Sequence, residues 1–179
     1  MIAGDLELRI ALGAGKREVA GHRRAELHAD DGAALGVAVT NFNVGGRLAV
    51  VQGNIIRNLA AHRPQGGADF AGVGIGVEAD TAVTGNVIEN APNIGIVAGF
   101  GQYLRDVTVN ANVVRGADYG IAVSVAPGAG SAVIADNMIS GARRAAIVGM
   151  EWNKAVTGDL SRDGAERYAQ ISVSGNRVQ

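Results

Sequence analysis

Five residues of this chain stand out as able to act on a ligand: Glu78, Tyr103, Arg105, Glu151 and Trp152. Glu78 and Glu151 each follow a short apolar run, GVGIGV and AAIVGM, so two carboxyls are offered from equivalent places. Hydrolysis of a glycosidic bond uses such a pair, one as acid and the other as base or nucleophile. Trp152 is the only Trp, and an indole face stacks well on a sugar ring. Tyr103 and Arg105 share the stretch FGQYLRD with Phe100 and Asp106, a combination suited to an acidic sugar. Each has a plainer reading. The two glutamates are then solvated surface acids, Trp152 covers an open face of the core, and Arg105 with Asp106 is a local ion pair at a turn.

Other chemistries find little support. His22, His28 and His62 lack metal-like spacing, and Asp30-Asp31 and Asp159/Asp163 fall short of a calcium loop. GVGIG at 72–76 lacks the Lys-Ser/Thr of a phosphate loop. We therefore assign no metal site, no cofactor and no confident catalytic residue.

The elements that must position these side chains come from an internal repeat. Five segments align on an asparagine: VVQGNII at Asn54, VTGNVI at Asn86, VNANVV at Asn112, IADNMI at Asn137 and VSGNRV at Asn176. Their intervals are 32, 26, 25 and 39 residues. A second motif runs in phase with the first: GIGV from Gly74, GIVA from Gly95, GIAV from Gly120 and AIVG from Ala146, with GVAV from Gly36 as an earlier copy. Both motifs alternate β-branched residues as short strands do. One coil of about 25 residues cannot bury its apolar stripe alone, and stacked coils can. The pattern predicts an all-β fold, a right-handed single-stranded parallel β-helix (a solenoid) of about five to six coils. It occupies residues 36–179, preceded by an atypical segment or cap over 1–35. The repeated Asn is expected at a sharp bend, with left-handed backbone angles, stacked as a ladder.

This architecture constrains the chemistry. Ile75 and Val77 face the core, so Gly76 between them faces out, as do Val97, Ala122 and Val148 in other coils. A floor of such small or apolar residues holds no catalytic array. The interruptions at 59–73, 98–106, 124–131 and 149–170 carry the reactive groups instead. The first holds His62, Arg63 and Asp69; the last holds Lys154, Asp159, Asp163, Glu166 and Tyr168, with a short helical turn expected near Ala165 to Tyr168.

Composition agrees. The 179 residues include 27 Gly, only 4% are aromatic, and Cys is absent, which excludes disulfides and thiol chemistry. A formal net charge of −1 leaves no footprint for nucleic acid. No apolar run is long enough to span a membrane. The N-terminal MIAGDLELRI does not read as a signal peptide.

The stretches VTNFNVGGRLAVVQGNIIRNL, VEADTAVTGNVIENAPNIGIV and DNMISGA resemble the uncharacterised twin-arginine-translocated repeat proteins, and the repeat as a whole resembles the pectate-lyase-like superfamily. The resemblance implies a periplasmic or extracellular protein, although no export signal stands in these residues. The leading expectation is a carbohydrate-associated domain that binds or positions a polysaccharide through its loop face. The alternatives are a polysaccharide lyase or hydrolase using loop residues, and a structural spacer whose open helix ends invite a homo-oligomer.

Overall fold

The computed structural model describes residues 7–10, 34–42, 48–61 and 71–179. His22, His28, Asp30, Asp31, His62, Arg63 and Asp69 lie outside these residues.

Alternating β-branched residues produce short strands, and the bends between them wind the chain into coils. Strand β1 (Glu7–Ile10) is followed by five coils of three strands each. The first coil is β2 (Leu35–Thr40), β3 (Ala49–Gln52) and β4 (Ile55–Arg57). The second is β5 (Val73–Val77), β6 (Thr81–Thr84) and β7 (Val87–Glu89). The third is β8 (Ile94–Ala98), β9 (Val107–Asn110) and β10 (Val113–Arg115), and the fourth β11 (Tyr119–Ser124), β12 (Ala132–Ala135) and β13 (Met138–Ser140). The fifth has β14 (Ala145–Glu151), an extra strand β15 (Lys154–Asp159), then β16 (Ile171–Ser174) and β17 (Arg177–Val178). Equivalent strands of successive coils pair in parallel, making three sheets, here A, B and C in the order the chain visits them.

Each sheet contributes an inward column to one core. Val37, Ile75, Ile96, Ile121 and Ile147 stack in register in sheet A. Val51, Val83, Val109 and Ile134 do so in sheet B, and Ile56, Ile88, Val114 and Ile139 in sheet C. All are buried, each worth roughly 1.5–3 kcal/mol by removal from water. The glycine that opens the second motif has a packing reason. A Cβ on Gly74 would lie 2.5 Å from the carbonyl oxygen of Gly95 and 2.7 Å from Cγ2 of Ile88. The coils therefore close up only where this corner carries no side chain.

The asparagines form the ladder at the B-to-C corner. The backbone N–H and the Nδ2 amide of Asn54 both donate to Oδ1 of Asn86, at 3.0 and 2.8 Å. Asn86 does the same to Asn112, Asn112 to Asn137, and Asn137 to Asn176, at 2.9–3.0 Å. Each amide also donates to a carbonyl on the inner edge of sheet B, as Asn112 does to Val83 at 3.0 Å. One expectation needs correcting. The left-handed residue is the one before each ladder Asn: Gly53, Gly85, Ala111, Asp136 and Gly175 have φ of 69°, 63°, 54°, 56° and 65°. The turn is made there, and this leaves the Asn free to point inward.

The ends differ between sheets. β1 runs antiparallel along β2, and β15 runs antiparallel along β14, so sheet A is covered at both edges. Asp159 of β15 accepts the N–H groups of Ala146 and Ile147 at 3.0 and 3.1 Å. The segment 149–170 thus completes an antiparallel hairpin that finishes the sheet at Asp159, and then makes a 3-10 turn at Ala165–Arg167.

Two adjacent residues give opposite expectations. Replacing Asn112, only 1% exposed, by Leu strands both donors of Asn86 and the carbonyl of Val83. The loss is about 3–5 kcal/mol, a fall of roughly 10 °C in Tm. Ala111→Gly removes an exposed methyl from a left-handed position and should raise Tm by about 2–4 °C. Thermal melts followed by circular dichroism check both; a rise for Asn112→Leu or a fall for Ala111→Gly contradicts this account of the corner.

Candidate functional site

The outward column of sheet A is in register as Ala38, Gly76, Val97, Ala122 and Val148. It is not a solvent-facing floor. Val97, Ala122 and Val148 are 6%, 1% and 1% exposed and belong to a second apolar cluster with Val73 and Ala145, edged by Leu35, Ile94, Tyr119 and Met150.

The long connections sort by corner. The 59–73 connection lies between β4 and β5, at the C-to-A corner, whereas those after β2, β8, β11 and β14 all leave sheet A toward sheet B. Side chains from four coils therefore meet along one edge. Of three Phe, three Tyr and one Trp, four converge there. Phe42 and Tyr103 have ring centroids 4.6 Å apart, Phe100 and Trp152 5.0 Å, and Tyr103 and Trp152 6.2 Å. The tilted and edge-on arrangements are those that aromatic quadrupoles favour.

The row is held firmly. Ser124 in coil four donates its hydroxyl to the carbonyl of Gly101 at 2.6 Å, fixing the turn Gly101–Tyr103 that carries Tyr103. The Trp152 ring lies against Gly101, where an added Cβ would stand 2.4 Å from it. Trp152 occupies the first position of the two-residue turn between Glu151 and Lys154, with φ of 54°. That position ordinarily suits glycine, and a bulky side chain there is strained by about 1–3 kcal/mol. The ring packs beside the connection of coil three and is 47% exposed, so it does not close an open end of the core.

Beside the row lies a polar cluster. Arg105 pairs with Asp80 through both Nε, at 3.0 Å, and Nη2, and not with its neighbour Asp106, which instead accepts from Ser131 at 2.5 Å. The Arg105 guanidinium holds the Asp80 carboxyl below its ordinary range, and Asp80 raises Arg105 in return. Asn41 donates its amide to Asp80 at 3.1 Å and its backbone N–H to Glu78 at 2.7 Å. Glu78 is 9% exposed, so it is no solvated surface acid; burial pushes its carboxyl up to about 7, against the opposing pull of the Asn41 N–H. Glu151 stays exposed beside Trp152.

Of the residues singled out in the sequence, Tyr103 and Trp152 come into contact, and Glu78 and Arg105 are linked through Asn41, which bonds Glu78, and Asp80, which bonds both Asn41 and Arg105. Glu78 and Glu151 do not meet: they follow strands three coils apart, about 14 Å along the axis. Phe42, Asn41 and Asp80 escaped the sequence reading. The signal was there, because Phe42, Phe100 and Trp152 each fall one or two residues past the end of a sheet A strand. Among the described residues no group of three or more His, Asp or Glu is placed to hold a metal ion, and no helix is long and apolar enough to cross a membrane. Comparison with known proteins finds no matching family model, no matching curated protein and no matching solved structure.

The raised Glu78 carboxyl makes stability depend on pH. Its folded value exceeds the unfolded one, so its contribution is full below about 4.5 and is lost as pH rises through about 7. Tm should fall between about pH 5 and pH 8, a window in which Asp80 stays ionised. Glu78→Gln, which keeps an acceptor for Asn41, should flatten that fall; an equal slope in both proteins would assign the effect to another group.

Proposed function

We propose that the A-to-B edge binds a neutral polysaccharide, with Trp152, Tyr103, Phe100 and Phe42 as the stacking surface. The observation that carries this reading is the placement of the single Trp at a strained turn with half its surface left in water. A side chain needed only for packing does not require such a position, and strain of this kind gathers at binding sites. The row also runs across the coils, so successive sugar units can lie along it. Among the described residues around it, the acidic Glu78, Asp80, Asp106 and Glu151 outnumber the basic Arg105 and Lys154, which disfavours a polyuronate.

Binding without cleavage is the form this reading takes. Glycosidase carboxyls stand about 5–10 Å apart, whereas Glu78 and Glu151 follow strands about 14 Å apart along the axis. We extend the proposal to a right-handed winding, the hand that parallel crossover connections adopt in about 98% of cases. The twin-arginine repeat family and export to the periplasm or cell exterior belong to the same proposal, carried by the sequence resemblance. We extend it also to a second copy of the chain adding along sheets B and C, since among the described residues antiparallel strands cover the edges of sheet A alone.

Fluorescence of the sole Trp reports binding directly. Titration with neutral oligosaccharides of four or more units should shift Trp152 emission, saturating with Kd in the high-micromolar range or above, roughly −5 kcal/mol. Trp152→Gly should abolish retention on an insoluble neutral polysaccharide while moving Tm by no more than about 3 °C, because relief of turn strain offsets lost ring contacts. Release of reducing ends that depends on Glu151 would make the protein an enzyme and sink the binding reading; retention unaffected by Trp152→Gly would do so as well.

A further inference from the structure

Charge is not spread evenly around the coils. The outward positions of sheet C form two columns in register: Ile55, Val87, Val113, Met138 and Arg177, and beside them Arg57, Glu89, Arg115 and Ser140. The adjoining C-to-A corner adds Arg143 and Arg144, whose side chains are 54% and 65% exposed. Among the described residues this side of the molecule carries five arginines and two carboxylates, Glu89 and Asp118. In the rest of residues 71–179 eight carboxylates stand against four cations, so the balance reverses. One of those acids, Asp136, borders sheet C at the B-to-C corner, where the other coils place Gly53, Gly85, Ala111 and Gly175. Each carboxylate of the basic side lies between two arginines. Glu89 is half-buried between Arg57 and Arg115 in the register. Asp118 accepts from Nε of Arg143 at 2.6 Å and lies 3.8 Å from Nε of Arg144, which also donates through Nη1 to the Tyr119 hydroxyl at 3.2 Å. A carboxylate shared in this way orients two guanidinium groups and cancels one charge, so the excess stays positive.

We propose that the outward face of sheet C, with the adjoining C-to-A corner, docks on an anionic lipid surface. Charge complementarity selects a negative partner, and the composition of the face narrows the choice. Ile55 and Met138, 36% and 40% exposed, stand among the arginines. A bilayer interface takes up both kinds of group, apolar side chains between the headgroups and guanidinium against phosphate. Neither column carries an aromatic ring on which a base or a sugar unit could stack, which disfavours a nucleic acid or an acidic polysaccharide. Two copies meeting face to face here would bring like charges together. The sheet fixes the spacing, because Arg57 and Arg115 are two strands, about 10 Å, apart. In a three-sided coil the A-to-B edge is the one corner that sheet C does not share, and Glu78, Asp80, Asp106 and Glu151 gather there. The asymmetry therefore turns sheet C toward a negative surface and leaves the aromatic row facing away from it. The proposal does not rest on the reading given to that row.

Flotation of the full chain with phosphatidylcholine vesicles, with and without phosphatidylglycerol, tests this at low ionic strength. The protein should float with the vesicles that contain phosphatidylglycerol, stay behind with phosphatidylcholine alone, and be released by added salt. Arg115→Gln and Arg144→Gln, both at exposed positions, should each lower partitioning about fivefold. Arg167→Gln makes the same charge change in the exposed 3-10 turn away from the face and should leave partitioning unchanged. Met138→Ser should weaken vesicle binding several-fold by removing apolar contact. Failure to float with phosphatidylglycerol vesicles would overturn the proposal, as would a loss from Arg167→Gln equal to that from Arg115→Gln. If Met138→Ser has no effect and soluble dextran sulfate binds as tightly as the vesicles do, the partner is a polyanion and the lipid assignment fails. A doubling of mass in light scattering without vesicles, abolished by Arg115→Gln, would give the face to a second copy instead.

Discussion

The paired donation of each ladder asparagine to the next coil is the interaction on which the rest of this structure depends. A parallel solenoid must turn sharply three times per coil, and every turn takes backbone groups out of the sheet ladders. At the B-to-C corner the next coil's Oδ1 accepts the N–H that the turn releases, and the amide reaches back to a carbonyl of sheet B. The buried groups of the corner are thereby paired, which a buried turn needs if it is not to lose about 1–3 kcal/mol per unmet group. It also fixes the register. Were a coil to slip by one residue, the asparagine would face solvent and Ile88 or Ile139 would leave the core.

Much of this was legible in the residues, for a reason that is itself structural. Each rung and each inward isoleucine recurs because each coil solves the same problem, so the spacing of Asn86, Asn112 and Asn137 reports the coil length directly. The assignment of the left-handed turn was less accessible. Asn tolerates that conformation readily, and Ala111 and Asp136 disguised the preceding position that glycine marks in the other coils. The burial of Glu78 was invisible for a different reason. It depends on Asn41 from the coil above, and nothing in local sequence ties residues 37 apart. The aromatic row lies between these cases: Tyr103 and Trp152 drew notice by type, whereas Phe42 joins them only once the coils are stacked.

The scaffold and the edge divide the work. Inward columns and the ladder repeat with little variation and set a rigid pitch. The A-to-B connections vary in length from coil to coil, so side chains from distant segments are presented at fixed spacing without disturbing the core. Trp152 illustrates the division: a strained turn in an antiparallel hairpin is tolerated because β15 is anchored to β14 by Asp159 and Thr157. Strain at the tip is offset by bonds at the base. The same hairpin closes the edge of sheet A, so one element both finishes the scaffold and carries the side chain on which the proposed binding rests.

Hydrogen exchange of the asparagine backbone amides tests the central role of the ladder most directly. In Asn86, Asn112 and Asn137 that N–H donates to a side-chain oxygen of the next coil rather than to a sheet carbonyl. If the ladder holds the coils together, these amides exchange as slowly as those of the inward residues beside them, Ile88, Val114 and Ile139. Exchange of Asn112 orders of magnitude faster than Val114 would contradict the account, because the corner would then open independently of the sheets it is said to bind.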